Sequence, residues 1–314
     1  MRRIRAGLIE WVCLLALGGC VHGSGGDAQA LEAKRRAEIQ ALLAQPSASN
    51  LATAALLSYG PGDAPAPLDL LQQAERLAPQ RPELVWLQVG ICRRLHCDAA
   101  AAIDDRLQAL DPGNGFVWLP DLERAEQSGS QPAVTAAIVR IGAAQRMTFY
   151  ETSFQSMVFD GMTAANPGDS LATRGIEAIG LVAAQSIPPL QPLTKACRID
   201  QFGIPGRREA CRTMATRMER ADTVLAQSLA LSMQERWVPL DDAQRESLRA
   251  KRRQLDYEMQ MAGRMRWRMD RDMTIRMNAD RNLEREEDVM LAVMTAYRIP
   301  PTAPPEWQDA RRAQ

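Results

Sequence analysis

Leu77-Ala78-Pro79 is followed seven residues later by Trp86, and Leu110-Asp111-Pro112 is followed six residues later by Trp118. The two prolines lie 33 residues apart and the two tryptophans 32. A period of that size marks stacked two-helix units. The residues between fit such a unit. Trp86 and Gly90 lie one turn apart on a first helix; Ala102, Ile103 and Ala109 recur on a second helix that ends in Leu110-Asp111-Pro112. Each residue type has a physical reason to be there. The tryptophan packs on the neighbouring helix, glycine and alanine let helices approach closely, and proline cannot continue the second helix. Working outward, Leu71 and Ala74 belong to the second helix of an earlier unit, and Trp118 opens another first helix. Ser128-Gly129 makes the next turn. Gln131 to Gln145 forms a further second helix, with Ser130 as its N-cap and Pro132 in its first turn.

On these residues the segment from Leu51 to Gln145 resembles about three tetratricopeptide units. The linker around Pro112 is two residues shorter than that family's norm, Arg93 stands where a tyrosine is usual, and Arg106 where an aromatic is usual. The resemblance covers under a third of the chain. It implies an α-solenoid whose concave face binds a protein or peptide partner, a use carried by fold analogy.

The N-terminus fixes a destination. Met1-Arg2-Arg3-Ile4-Arg5 is basic, Ala6 to Leu17 is apolar except for Glu10, and small residues precede Cys20. That is the build of a secretion signal, well short of the roughly 20 apolar residues of a membrane-spanning helix. Leu17-Gly18-Gly19-Cys20 resembles the lipobox of bacterial lipoproteins, which implies that Cys20 is the lipidated first residue of the mature chain. In that family an Asp after the cysteine favours inner-membrane retention. Val21 in its place implies the periplasmic face of the outer membrane. The expected division is a signal peptide over 1–19 and a lipidated tether over 20–27, where Gly and Ser are frequent.

Export bears on the other cysteines. Cys13 leaves with the signal and Cys20 takes lipid, so Cys92, Cys97, Cys197 and Cys211 remain. An even number in two close pairs, in an exported chain, points to disulfides. Three connectivities are open, and local pairing, Cys92 with Cys97 and Cys197 with Cys211, is the simplest. A four-cysteine metal site is the rival, but neither spacing is the C-x2-C of zinc sites.

The remainder also reads as helix. Aromatics are only 5% of the chain, and Ala, Leu, Arg, Gln and Met dominate. The expected fold is all-α: a short tetratricopeptide-like solenoid over 28–186, a proline-rich linker over 187–205, a long-helix bundle or hairpin over 206–299, and a proline-rich tail over 300–314. Asn166-Pro167-Gly168 should break the helices of 147–184. Arg207 to Trp237 is expected as one long helix, because Cys211, Met214, Met218, Leu225, Leu229 and Met233 recur at three- and four-residue spacing. Asp242 to Arg298 is either one helix or an antiparallel hairpin turning near Asn278-Ala279-Asp280.

Chemistry is constrained by what is scarce. The chain holds two histidines, His22 in the tether and His96 between two cysteines. A nucleophilic triad needs a held imidazole, and neither is well placed for that or for zinc or iron. No G-x-S-x-G, P-loop or H-E-x-x-H sequence occurs. Formal net charge is zero, with no basic stripe for nucleic acid. Carboxylates remain: Glu151, Asp160 and Glu177 in the middle helices, and Glu284, Glu286, Glu287 and Asp288 near the end. Met261, Met265, Met269, Met273 and Met277 are spaced by four, which drifts about 40° per step on a helix, so they read as a packing seam rather than a copper site. No cofactor, metal or catalytic residue is expected. The expectation is a lipid-anchored scaffold for a protein or peptide partner, not an enzyme; the alternative is a carboxylate-dependent hydrolase of cell-wall polymer, whose two carboxyls must stand at a set separation.

Overall fold

The computed structural model describes residues 25–58, 66–185, 190–237, 241–266, 280 and 282–307. Within them the fold is all-α, without strands. The helices are α1 (Gly25–Ala44), α2 (Ala48–Leu57), α3 (Pro67–Leu77), α4 (Pro82–Leu95), α5 (Ala100–Leu110), α6 (Leu119–Gln127), α7 (Gln131–Ala143), α8 (Glu151–Ala165), α9 (Leu171–Ala183), α10 (Gln191–Ala196), α11 (Arg207–Met218), α12 (Val224–Arg236), α13 (Asp242–Arg266) and α14 (Glu286–Ala296). A 3-10 turn, Gly115–Trp118, precedes α6, and another, Ile199–Gln201, precedes α11.

The local signals act as their chemistry demands. Pro67 and Pro82 sit in the first turns of α3 and α4, where a missing N–H costs nothing. Ser130, Ser170 and Thr223 accept hydrogen bonds from backbone N–H groups opening α7, α9 and α12. The break at Asn166-Pro167-Gly168 separates α8 from α9.

Two features of the repeat qualify the expectation. Trp86 lies inside α4 and is buried, whereas Trp118 ends a 3-10 turn ahead of α6 and is half-buried. Asn114 caps the turn with its side chain, accepting from Phe116 N at 3.1 Å, so Trp118 stands at the N-cap of α6, opening the first helix as expected, rather than inside it like Trp86. Gly90 is not a close-approach site either, since a Cβ there would meet nothing within 4 Å. The position that needs glycine is Gly161 in α8, where a methyl group would collide with the buried Thr53 of α2. Through it α8 packs on both α1 and α2. In a strictly sequential array each unit touches only its neighbours; here α8 returns to the first helices.

One apolar cluster runs from Ile39 in α1 to Trp237 just past α12. Two smaller clusters lie between α12, α13, α14 and the segment after them. The proline-rich stretch expected as a linker is part of the main core: Pro192 opens α10, and Leu193, Ala196 and Cys197 are buried. The single helix expected over Arg207–Trp237 is two, α11 and α12, turning at 219–223. The apolar spacing continues through the turn, but Asp222 and Thr223 are buried there and hydrogen-bonded, which a continuing helix would not allow. Past α13 the chain folds back. Leu255 and Ala262 pack with Val289 and Val293 of α14. Tyr257 Oη then donates to Pro300 O at 2.9 Å, and Trp307 lies edge-on to Tyr257 with ring centres 5.4 Å apart. The tail is thus folded against α13 as far as Trp307. The turn expected at Asn278-Ala279 lies outside the described residues.

Gly161→Ala is expected to lower stability by about 1–3 kcal/mol through overpacking against Thr53. Gly90→Ala, in open space on a helix, is expected to be neutral or stabilising by up to about 1 kcal/mol. Urea unfolding of the two variants checks the contrast.

Candidate functional site

The most elaborate polar site is a buried hub around residues 147–152. Asp222, in the α11–α12 turn, places its carboxylate at the N-terminus of α8. It accepts from Thr148 Oγ1 at 2.7 Å, from Phe149 N at 2.9 Å and from Glu151 N at 3.4 Å. Tyr150, the residue at the N-cap position, offers no side-chain cap, so Asp222 supplies the acceptor from 71 residues away. An anion suits the partial positive charge of a helix N-terminus. Asp222 N in turn donates to Met147 O at 3.0 Å.

A second acid extends the arrangement to the C-terminal helices. Glu286 accepts from Val224 N, the first residue of α12, at 2.6 Å, and Glu286 N donates to Asp222 O at 2.8 Å. Thr152 Oγ1 donates to Glu284 O at 2.9 Å. Each of two helices is therefore capped by a carboxylate borrowed from elsewhere in the chain. Burial pushes the Asp222 carboxyl up to about 6; the donors Phe149 N, Thr148 and Glu151 N oppose that, and the nearby Glu286 adds to it.

The other side of the hub holds Tyr150. Its φ of 61° is the left-handed region, costly for an aromatic residue. Several contacts impose it. Tyr150 Oη donates to Asp111, Tyr150 N to Thr148 Oγ1 at 2.9 Å, and the ring meets Trp86 with centres 5.6 Å apart. Asp111 also pairs with Arg146 at 2.7 Å. Asn114 bonds both backbone groups of Thr148, and Phe149 stacks on Phe116 at 4.0 Å. Burial and the Asp111 carboxylate raise the Tyr150 hydroxyl above its ordinary value. Asp111 and Trp86, read from sequence as parts of a helix repeat, are thus also walls of this hub.

Chemically the hub is closed. Both Asp222 oxygens already accept from protein donors, which leaves a substrate little to bind. The remaining carboxylates do not converge with it. Glu151 opens α8, and Asp160 lies nine residues on, about 14 Å along the axis. Glu177 on α9 pairs with Lys34 of α1 at 2.7 Å. Glu287 and Asp288 bind Arg285 at 2.8 and 2.9 Å, and Asp288 also accepts from Arg285 N at 3.0 Å at the start of α14. The acidic run at 284–288 serves helix termini.

The cysteines stand as expected. Cys92 and Cys97 are at disulfide distance, with Cα atoms 5.1 Å apart, and so are Cys197 and Cys211, at 5.6 Å. The first pair spans the C-terminus of α4, where His96 takes the left-handed cap conformation and Leu95 is exposed. The second ties α10 to α11 beside Arg207, a fully buried guanidinium that no sequence signal marked. Its partners are neutral: Thr135 Oγ1 at 3.0 Å, Ala196 O at 3.0 Å and Gln131 O at 3.1 Å. Burial lowers its affinity for its proton.

Cys20 lies outside the described residues, as do Met269, Met273 and Met277. Met261 is half-buried against the Tyr257–Met294–Ala303 cluster. Among the described residues no group of three or more His, Cys, Asp or Glu side chains is placed to hold a metal ion, and no helix is long and apolar enough to cross a membrane.

Asp222 sets a pH dependence whose sign is fixed. Its folded value of about 6 exceeds the ordinary 3.8, so the native state holds the proton more tightly. The stabilisation is complete below pH ~4 and lost as pH rises through ~6, about 3 kcal/mol in all. Relative to wild type, Asp222→Asn should therefore be most destabilising near pH 4 and progressively less so by pH 7. Denaturant melts of both proteins across that range measure the difference.

No family model, curated protein or solved structure matches the chain.

Proposed function

We propose that the chain is an exported, lipid-anchored helical scaffold at the periplasmic face of the outer membrane, where it holds a protein or peptide partner. The observation that carries this reading is the N-terminal segment ending in Leu17-Gly18-Gly19-Cys20. A basic start, a short apolar stretch and a small-residue site before a cysteine have one common use. Two close cysteine pairs at disulfide distance fit an oxidising compartment.

Two further features favour a scaffold over a hydrolase. The polar hub uses its carboxylates as helix caps, Glu177 sits in an ion pair with Lys34, and Glu287 and Asp288 pair with Arg285 at the start of α14. The consecutive helices α3–α4 and α4–α5 pack on each other, which supports reading them as paired-helix units of the kind that arrays use to present a binding surface.

Mass spectrometry of the mature N-terminus should find a diacylglyceryl group on Cys20, and Cys20→Ser should release the protein from membranes. A mature chain beginning at another residue would remove the basis of the proposal. Peptide mapping without reductant should recover Cys92 linked to Cys97 and Cys197 linked to Cys211. Replacing the second pair by serine should cost about 3 kcal/mol by the loop-entropy estimate.

A further inference from the structure

The outer face of α9 does not look like the surface of a helix that meets only water. Between Leu171 and Ala183 the helix has two charged residues. Arg174 is turned inward, donating to the carbonyls of Pro167 and Asp169. Glu177 is held by Lys34 of α1 at 2.7 Å. What faces outward is Thr173, Ile176, Gly180 and Ala183, and the space over Gly180 is open. The helix packs extensively on α8; its opposite side has no charge of its own beyond the paired Glu177. A solvent-facing helix ordinarily carries charged residues there.

Leu31 of α1 extends the patch. It lies one turn before Lys34 and is 68% exposed; Ile176, next to Glu177, is 65% exposed. These are the two most exposed large apolar side chains among the described residues, and each lies within one helical turn of a member of the Lys34–Glu177 ion pair.

The covalent path says what lies near. Gly25, the start of α1, is five residues after Cys20, so a fully extended tether spans at most about 17 Å. Leu31 is six residues further, about 9 Å along the helix. An acyl group on Cys20 therefore holds this patch within roughly 26 Å of the headgroup layer. A single apolar or lipid signal binds membranes weakly, and a second strengthens the contact.

We infer that the face formed by Leu31 of α1 and Ile176, Gly180 and Ala183 of α9 rests on the bilayer to which Cys20 is tethered, with Lys34 at headgroup level. The inference rests on the lipid-anchor reading. It fixes the orientation of the body, with α1 and α9 toward the lipid.

The test uses full-length acylated protein in phosphatidylethanolamine–phosphatidylglycerol vesicles doped with a nitroxide lipid. An environment-sensitive fluorophore is placed at Ile176→Cys, at Leu31→Cys, or at Glu246→Cys on α13, where the native side chain is 77% exposed. Emission at 176 and 31 should shift to the blue and be quenched several-fold more than at 246. Equal quenching at the three positions overturns the inference while leaving the anchor intact. The same labels on a chain beginning at Val21, held by an N-terminal His tag to nickel-chelating lipid, separate the two ideas. Selective quenching there, together with an unacylated Cys20 in the native protein, keeps the face and sinks the anchor. Efficient 176–176 crosslinking between copies in detergent, without quenching by lipid, would assign the face to a second copy and reject the membrane.

Discussion

A single carboxylate, buried at the foot of α8, accepts hydrogen bonds from Thr148, Phe149 and Glu151, and its own backbone reaches Met147 on one side and Glu286 on the other. Much of the architecture depends on that constraint. A helix start leaves N–H groups without partners, and α8 starts directly after the buried aromatic residues Phe149 and Tyr150. An acceptor had to come from elsewhere, and Asp222 is brought by breaking what would otherwise be one helix into α11 and α12. The same break exposes the start of α12, which Glu286 then satisfies. Each solution creates the next requirement, and together they tie the middle of the chain to its end.

Arg207 answers a similar need with the opposite charge. It gathers the carbonyls of Ala196 and Gln131, so the C-terminus of α10 and the start of α7 are held by one guanidinium. A buried cation without a carboxylate partner is costly, and here the cost is offset by several hydrogen bonds to neutral acceptors. Next to it the Cys197–Cys211 pair holds α10 against α11. Leu193, Ala196 and Cys197, in a segment that looks from sequence like a linker, are in consequence part of the main core.

The sequence made the helices legible where local chemistry sets them. Pro67, Pro82, Ser130 and Ser170 begin helices as their side chains require, and the nearness of each cysteine pair along the chain sufficed to predict partners. It misled where tertiary packing overrode a pattern. The apolar spacing from Cys211 to Met233 is continuous, and nothing local distinguishes Asp222 from a solvent-facing aspartate; only the approach of residues 148–151 makes it a cap. The 32-residue recurrence of tryptophan suggested equivalent positions, yet Trp86 lies inside α4 while Trp118 ends a 3-10 turn that Asn114 caps, ahead of α6. Gly90 looked like a close contact and is not, whereas Gly161 is one because α8 returns to α2, a long-range event that periodicity does not encode. Tyr150 carried no signal at all, since its left-handed backbone is imposed by Asp111, Thr148 and Trp86 together.

The hub also bears on the order in which the chain acquires its structure. Helix pairs such as α4 and α5 involve neighbours in sequence and can close as soon as both have been made. The cap on α8 cannot, because it waits for residue 222; α12 has its local cap in Thr223, but the acceptor for Val224 N waits for residue 286. Contacts between such distant residues must overcome loop-closure entropy before they stabilise anything. A chain delivered from its N-terminus would therefore hold α8 with its first turn unsatisfied while some seventy further residues arrive. Until then the aromatic cluster of Phe116, Phe149 and Trp86 is open on one side, and maturation of the N-terminal helices is deferred to the arrival of the last ones.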